Sequence, residues 1–239
     1  LDDQVRSSYL QAATAIGIGL GSFAAGYMSG GKVEYGLVPL GALGLTIFSA
    51  LLGRDDLSFE MAAVLLGLLG FSGGLFIVPI TALLQHRPSR EQLGGVLAAA
   101  NLISFIGIAA SSGIYYLFNV TLDLPPPAIF GIIAIVTLAS TVYAMVLVPD
   151  SFMRFILWLL THTLYRVRVV GHGNIPEKGG ALLVSNHMSF MDACFVIAST
   201  DRRIRFIMYQ GIYDIWWVKP FARILKVIPI TAEGRPRQM

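Results

Sequence analysis

Five apolar runs dominate the first 150 positions, at residues 10–29, 36–53, 61–84, 93–118 and 126–148. Polar or turn-forming stretches separate them at 30–34, 54–60, 85–92 and 119–125. A helix needs about 20 mostly apolar residues to cross the hydrocarbon of a bilayer, so the pattern predicts five membrane-spanning helices. A soluble helical core would show a polar stripe at the helical period, which these runs lack.

From Ser151 the pattern changes. Residues 151–164 mix Phe152, Phe155, Ile156, Leu159 and Leu160 with Arg154 and His162, and Trp158 stands where an interfacial anchor belongs. That composition predicts an amphipathic helix lying on a membrane surface. Residues 165–170 alternate as a strand does, 171–180 are turn-rich, and 181–184 form a short apolar strand. A helix over 191–199, a strand over 204–209, a helix over 215–225 and a strand over 227–231 complete the series. Strands alternating with helices indicate an α/β domain. The predicted organisation is a multi-domain membrane protein, with a transmembrane region at 1–150 and an α/β domain at 151–239.

Composition supports the division. Of the 239 residues 55% are hydrophobic and 13% charged, against about 25% charged in an ordinary soluble chain. Residues 1–150 hold 5 Lys/Arg against 9 Asp/Glu, a charge of −4, while 151–239 hold 12 against 5, a charge of +7. A basic segment joined to spanning helices points to an anionic lipid surface, and nucleic acid is not expected as a partner. The first and third loops carry Lys32, Arg87 and Arg90, the second carries Arg54 and the fourth no base. Arg154, Arg166 and Arg168 follow the fifth run closely. Positive charge marks the cytoplasmic side, so the first and third loops and everything after 150 are predicted to be cytoplasmic.

Small residues crowd the apolar runs, at Gly17, Gly19, Gly21, Ala24, Ala25 and Gly26 and again at Gly94, Gly95 and 98–100. They allow helix backbones to approach closely. Asn101, Ser104, Ser111 and Ser112 either face a water-filled path or bond between helices. The sequon Asn119-Val120-Thr121 is given no role. Cys194, the single cysteine, reads as a small buried apolar residue, and no metal site is expected. Leu1, followed by Asp2 and Asp3, reads as a start inside a longer protein.

The chemistry concentrates in Ser185-Asn186-His187-Met188-Ser189-Phe190-Met191-Asp192, directly after the apolar stretch 181–184. His187 and Asp192 are five apart, so a turn opening into a helix can return the carboxylate to one imidazole nitrogen. A carboxylate there fixes the tautomer and stabilises the imidazolium formed when the other nitrogen takes a proton. No nucleophilic side chain accompanies the pair, which suits activation of a substrate hydroxyl. Taken alone, a His and an Asp at this spacing are more often a helix cap and a solvated residue.

The surrounding residues weigh against that bland reading. Asn-His-x-Ser-x-x-Asp after an apolar strand closely resembles the first motif of the glycerol-phosphate and lysophospholipid acyltransferase superfamily. Residues 165–171 and Asn174-Ile175-Pro176 resemble the opening of that domain. The resemblance implies that His187 is the general base on a glycerol hydroxyl that attacks an acyl thioester of coenzyme A or acyl carrier protein. Asp192 would orient the base, while Asn186 and Ser189 would shape the turn or bind substrate. The stretch 227–235 resembles the second motif, whose Arg contacts phosphate, with Arg235 displaced from the usual spacing. The third motif is expected beyond Met239, which makes the acyltransferase domain incomplete here. Phosphatidate-forming relatives commonly carry Lys where this chain has Gln210, and an amide there suits a phosphodiester head group.

Residues 26–34 resemble the loop between helices eight and nine of major facilitator transporters, so the five runs would be helices eight to twelve of that fold. Transporter followed by acyltransferase resembles the bacterial fusion of a lysophospholipid transporter with an acyl-acyl carrier protein phospholipid acyltransferase. The resemblance implies a multi-pass inner-membrane protein that transports lysophospholipid and re-acylates it, with no bound cofactor. Two other readings stay open: a transporter with a non-catalytic appended domain, and a phosphatidate-forming acyltransferase fused to a transporter.

Overall fold

The computed structural model describes residues 2–29, 33–165, 167–171, 174–176, 179–189, 191–200, 202 and 204–231. It divides into two compact units, Leu1–Val148 and Pro149–Met239.

The first unit is helical. Its elements are α1 (Asp2–Ser29), α2 (Leu37–Leu52), α3 (Phe59–His86), α4 (Arg90–Tyr116), a π-helical turn (Leu117–Thr121) and α5 (Pro126–Leu147). The boundaries follow local chemistry. The Ser58 hydroxyl accepts from the Met61 N–H at 3.2 Å and caps α3, satisfying one of the amide groups a helix start leaves unpaired. Pro126 opens α5 at a position where its missing N–H costs nothing. The Asn119 sequon lies inside the π-helical turn.

Among the described residues, three helices are suited by length and composition to crossing a membrane: α3, α4 with its π-helical extension, and α5. Five had been expected. The two others are helical but fall short for different reasons. α2 has 16 residues, about 24 Å at 1.5 Å per residue, against roughly 30 Å of hydrocarbon. α1 is long enough at 28 residues, but Gly17, Gly19, Gly21, Ser22 and Gly26 dilute its apolar content.

Packing in this unit centres on α3, which lies against α1 and α2, while α2 also meets α5. The α1–α3 seam is backbone against backbone. A Cβ added at Gly17 would lie 2.0 Å from the Gly67 carbonyl oxygen, and one at Gly21 would lie 2.0 Å from that of Phe71. From the other side, a Cβ at Gly70 would meet the Thr14 carbonyl at 2.3 Å and one at Gly74 the Ser22 nitrogen at 2.5 Å. Glycines four apart on each helix therefore interlock, which is how membrane helices gain close contact. Gly19, Gly26, Gly94 and Gly95 have nothing within 4 Å, so only some of the small residues serve packing. Between α2 and α5 the Thr46 and Thr141 hydroxyls lie 2.9 Å apart. α4 has no buried residue, and Ser104, Ser111 and Ser112 bond to carbonyls of their own helix.

The second unit begins with α6 (Pro149–Leu164) and continues with α7 (Met191–Ala198), β1 (Ile207–Tyr209), α8 (Gln210–Tyr213), α9 (Lys219–Ile224) and β2 (Ile228–Ile230). α6 is the amphipathic helix expected over 151–164: Phe155 and Thr161 are buried while Leu160 and Leu164 are exposed. It packs on α7, where Tyr165, just past the end of α6, meets Phe195 of α7 edge to face at 5.2 Å. β1 and β2 pair in parallel, with Ile207 opposite Ile228 and Tyr209 opposite Ile230.

Two expected strands are not observed. The described residues of 165–170 and 181–184 belong to no strand, and Val170, Leu182 and Val184 are exposed. An apolar run signals a chain meant to lie between neighbours, but ladder bonds and burial both come from those neighbours. The helix expected over 215–225 contracts to α9, preceded by turns at 214–218.

Candidate active site

The site is a turn that leads into α7. Asp192 is the second residue of that helix, and its backbone N–H donates to the Ser189 carbonyl at 3.1 Å. The Ser189 hydroxyl accepts from the Met191 N–H at 3.2 Å, the role hydroxyl residues take at helix starts. This turn carries the Asp192 side chain back over the residues before the helix. One oxygen, Oδ2, then accepts three hydrogen bonds: from the Met188 N–H at 2.7 Å, the Ser189 N–H at 2.8 Å and His187 Nδ1 at 3.0 Å.

Those bonds determine the protonation states. The Ser189 and Met188 amides hold the Asp192 carboxyl below the usual carboxylate range, assisted by His187 and opposed by some desolvation. An ionised carboxylate only accepts, so Nδ1 must carry the hydrogen and in neutral imidazole Nε2 bears the lone pair. The His187 side chain is 73% exposed and Asp192 28%. The imidazole is open to an incoming group, while the carboxylate that holds it is partly sheltered.

The structure thus brings His187, Ser189 and Asp192 together. Asn186 is exposed beside them, and Arg235 lies outside the described residues. Among the described residues no group of three or more His, Cys, Asp or Glu is placed to hold a metal. Cys194 is half-buried, and burial pushes its thiol up.

Two contributions had no signature in the sequence. The Met188 and Ser189 amides belong to the backbone, so residue identity does not reveal that they hold the carboxylate. Arg202 donates to the carbonyls of Pro176 and, at 2.6 Å, Gly179, tying down the segment that follows the Gly171 turn. Gly171 has a positive φ of 77° and accepts from the Asn174 N–H at 2.9 Å, a conformation glycine adopts freely.

Residues 166–238 match the acyltransferase family model, a stretch that contains the whole His187–Asp192 turn. The chain therefore carries an acyltransferase domain. Its N-terminal part is similar to a different class of protein. The lysophospholipid transporter LplT of Klebsiella pneumoniae subsp. pneumoniae is 34% identical over 138 residues, covering 56% of this chain and 34% of that protein. The transporter of the same name from Cronobacter sakazakii is 35% identical over 127 residues, 52% of this chain and 31% of that protein. The Escherichia coli one is 33% identical over 144 residues, 59% of this chain and 35% of that protein. The chain spans about a third of the length of these curated relatives. No solved structure matches it. Transporter-like and acyltransferase segments in one chain are consistent with a fusion of the two.

Proposed function

We propose that the protein transports lysophospholipid across the bacterial inner membrane and re-acylates it, with His187 as the general base of the acyl transfer. The observation that carries this reading is the 3.0 Å contact from His187 Nδ1 to an Asp192 oxygen already held by two amides. In the reaction, His187 Nε2 removes the proton of a glycerol hydroxyl as that oxygen attacks the thioester carbonyl. Collapse of the tetrahedral intermediate expels the thiolate, which takes the proton back from the imidazolium. Asp192 keeps the ring in the required tautomer, and base catalysis of this kind contributes about 10²- to 10⁴-fold in rate.

The donor in this reading is a thioester of acyl carrier protein or coenzyme A, and the reaction occurs at the cytoplasmic face. The similarity to LplT supports lysophospholipid as the transported molecule and as acceptor, with the spanning helices as part of a major facilitator fold. Gln210 supports a phosphodiester head group. Its amide donates to Asp214 at 2.6 Å, and the same carboxylate meets Lys219 at 2.9 Å, so the lysine beside Gln210 is already paired rather than ready for a dianionic phosphate.

The test uses the full-length protein. His187→Ala should reduce thioester-dependent acylation of lysophosphatidylethanolamine by at least about 10²-fold and leave lipid uptake unchanged. Wild-type acylation by that variant would remove His187 from the reaction. Faster acylation of lysophosphatidate than of lysophosphatidylethanolamine would make the protein a phosphatidate-forming enzyme instead.

A further inference from the structure

A cavity of about 90 Å³ in the second unit is lined by Arg154, Arg202, Arg205 and Lys226. Among the described residues its wall contains no carboxylate, and the remainder is aliphatic, including Ile197 and Ile224. We propose that this cavity binds the phosphate of an anionic phospholipid head group at the membrane surface.

Parallel pairing assembles the cations. Ile207 lies opposite Ile228, so Arg205 and Lys226, each two residues upstream, stand side by side at the N-terminal ends of β1 and β2. In α/β folds substrates are handled at the other end, beyond the carboxyl ends of the strands. Among the described residues neither side chain forms a hydrogen bond or an ion pair. Among the described residues Arg202 is held by neutral carbonyls, those of Pro176 and Gly179, which do not compensate its charge. Like charges brought together around a cavity repel unless an anion joins them.

Lys226 has φ 51°, in the left-handed region that glycine occupies without strain and other residues occupy at a cost. That turn is the cap of α9, closed by the Lys226 N–H on the Arg223 carbonyl at 3.1 Å and the Val227 N–H on the Ala222 carbonyl at 2.9 Å, and it fixes where the lysine leaves the helix.

Two features favour a lipid over a protein partner. The cavity accommodates one small anion with an apolar substituent and is too small for a helix. Arg154 lies on α6, seven residues along the chain from the end of the apolar helix α5. α6 is also amphipathic, with Leu160 and Leu164 exposed.

The experiment is native mass spectrometry of the full-length protein in mild detergent. The probes are phosphatidylglycerol, phosphatidylcholine with the same acyl chains, and inorganic phosphate. The wild type should retain one phosphatidylglycerol in preference to phosphatidylcholine. Arg205→Gln and Lys226→Gly should each weaken retention about 5-fold, and together roughly 30-fold. Lys226→Gly also relieves the backbone, so its thermal midpoint should hold or rise, which separates loss of binding from loss of fold. Equal retention of the two lipids, or unchanged retention by Lys226→Gly, overturns the proposal. Binding of inorganic phosphate without retention of phosphatidylglycerol makes it a free-phosphate site and overturns the lipid assignment. A higher KM for acyl carrier protein in the double variant with unchanged lipid retention overturns it in favour of a protein dock.

Discussion

Replacing Gly21 by Ala tests the α1–α3 seam directly. The new methyl carbon would start 2.0 Å from the Phe71 carbonyl oxygen and 2.7 Å from its carbon, and backbone atoms of a helix cannot swing aside as a side chain can. The helices must separate by roughly 1.5 Å to restore an ordinary contact of about 3.5 Å. Overpacking of this kind costs about 1–3 kcal/mol, offset by the roughly 1 kcal/mol by which Ala exceeds Gly in helix propensity. A net loss of up to about 2 kcal/mol is expected. Gly19→Ala, with nothing within 4 Å, receives the propensity gain alone and should be neutral or stabilising. The assay is reversible unfolding in mixed micelles as the fraction of dodecyl sulfate rises. A Cβ at Gly74 would lie 2.7 Å from the Gly21 carbonyl carbon, so Gly74→Ala added to Gly21→Ala should cost less than it does alone, because the gap is already open. Equal midpoints for Gly21→Ala and Gly19→Ala would refute the close seam.

Three further outcomes follow from single contacts. Thr141→Val removes the hydroxyl that faces Thr46 at 2.9 Å and should cost about 0.6 kcal/mol, up to about 1.7, in the same unfolding assay. Ser49→Ala should shift stability the other way, by about 1 kcal/mol or more, since the Ser49 hydroxyl is buried and has no hydrogen-bond partner among the described residues; a loss of stability would show that it is satisfied. Because the folded Asp192 carboxyl titrates below its ordinary range, the order it gives the turn is present at neutral pH. It should disappear only as pH falls through that depressed value. Amide-exchange protection at Met188 and Ser189 that fades above the ordinary carboxylate range would contradict the geometry.

Features set by near neighbours were legible in the residues, and features set by distant ones were not. The five apolar runs became helices because hydropathy and capping act within a few residues, as at Ser58. The meeting of His187 with Asp192 was legible because one turn separates them. Gly21 and Gly19 look alike in sequence, and only the position of α3 distinguishes them. The stretch 181–184 has the composition of a buried strand, yet pairing partners lie far away in the chain. Arg205 and Lys226 are separated by α8 and α9 and meet through strand register, and no residue type announced that Lys226 is left-handed.

The arrangement at Oδ2 of Asp192 also bounds how far a proton can migrate. Two peptide groups already draw electron density from that atom, so it is a weak competitor for the hydrogen on Nδ1. A proton captured at the far nitrogen stays on the ring, which leaves the carboxylate as a fixed counter-charge. In the reaction proposed above, the ring would therefore discharge to the departing sulfur before a second acceptor is activated, so that His187 would carry one proton per turnover.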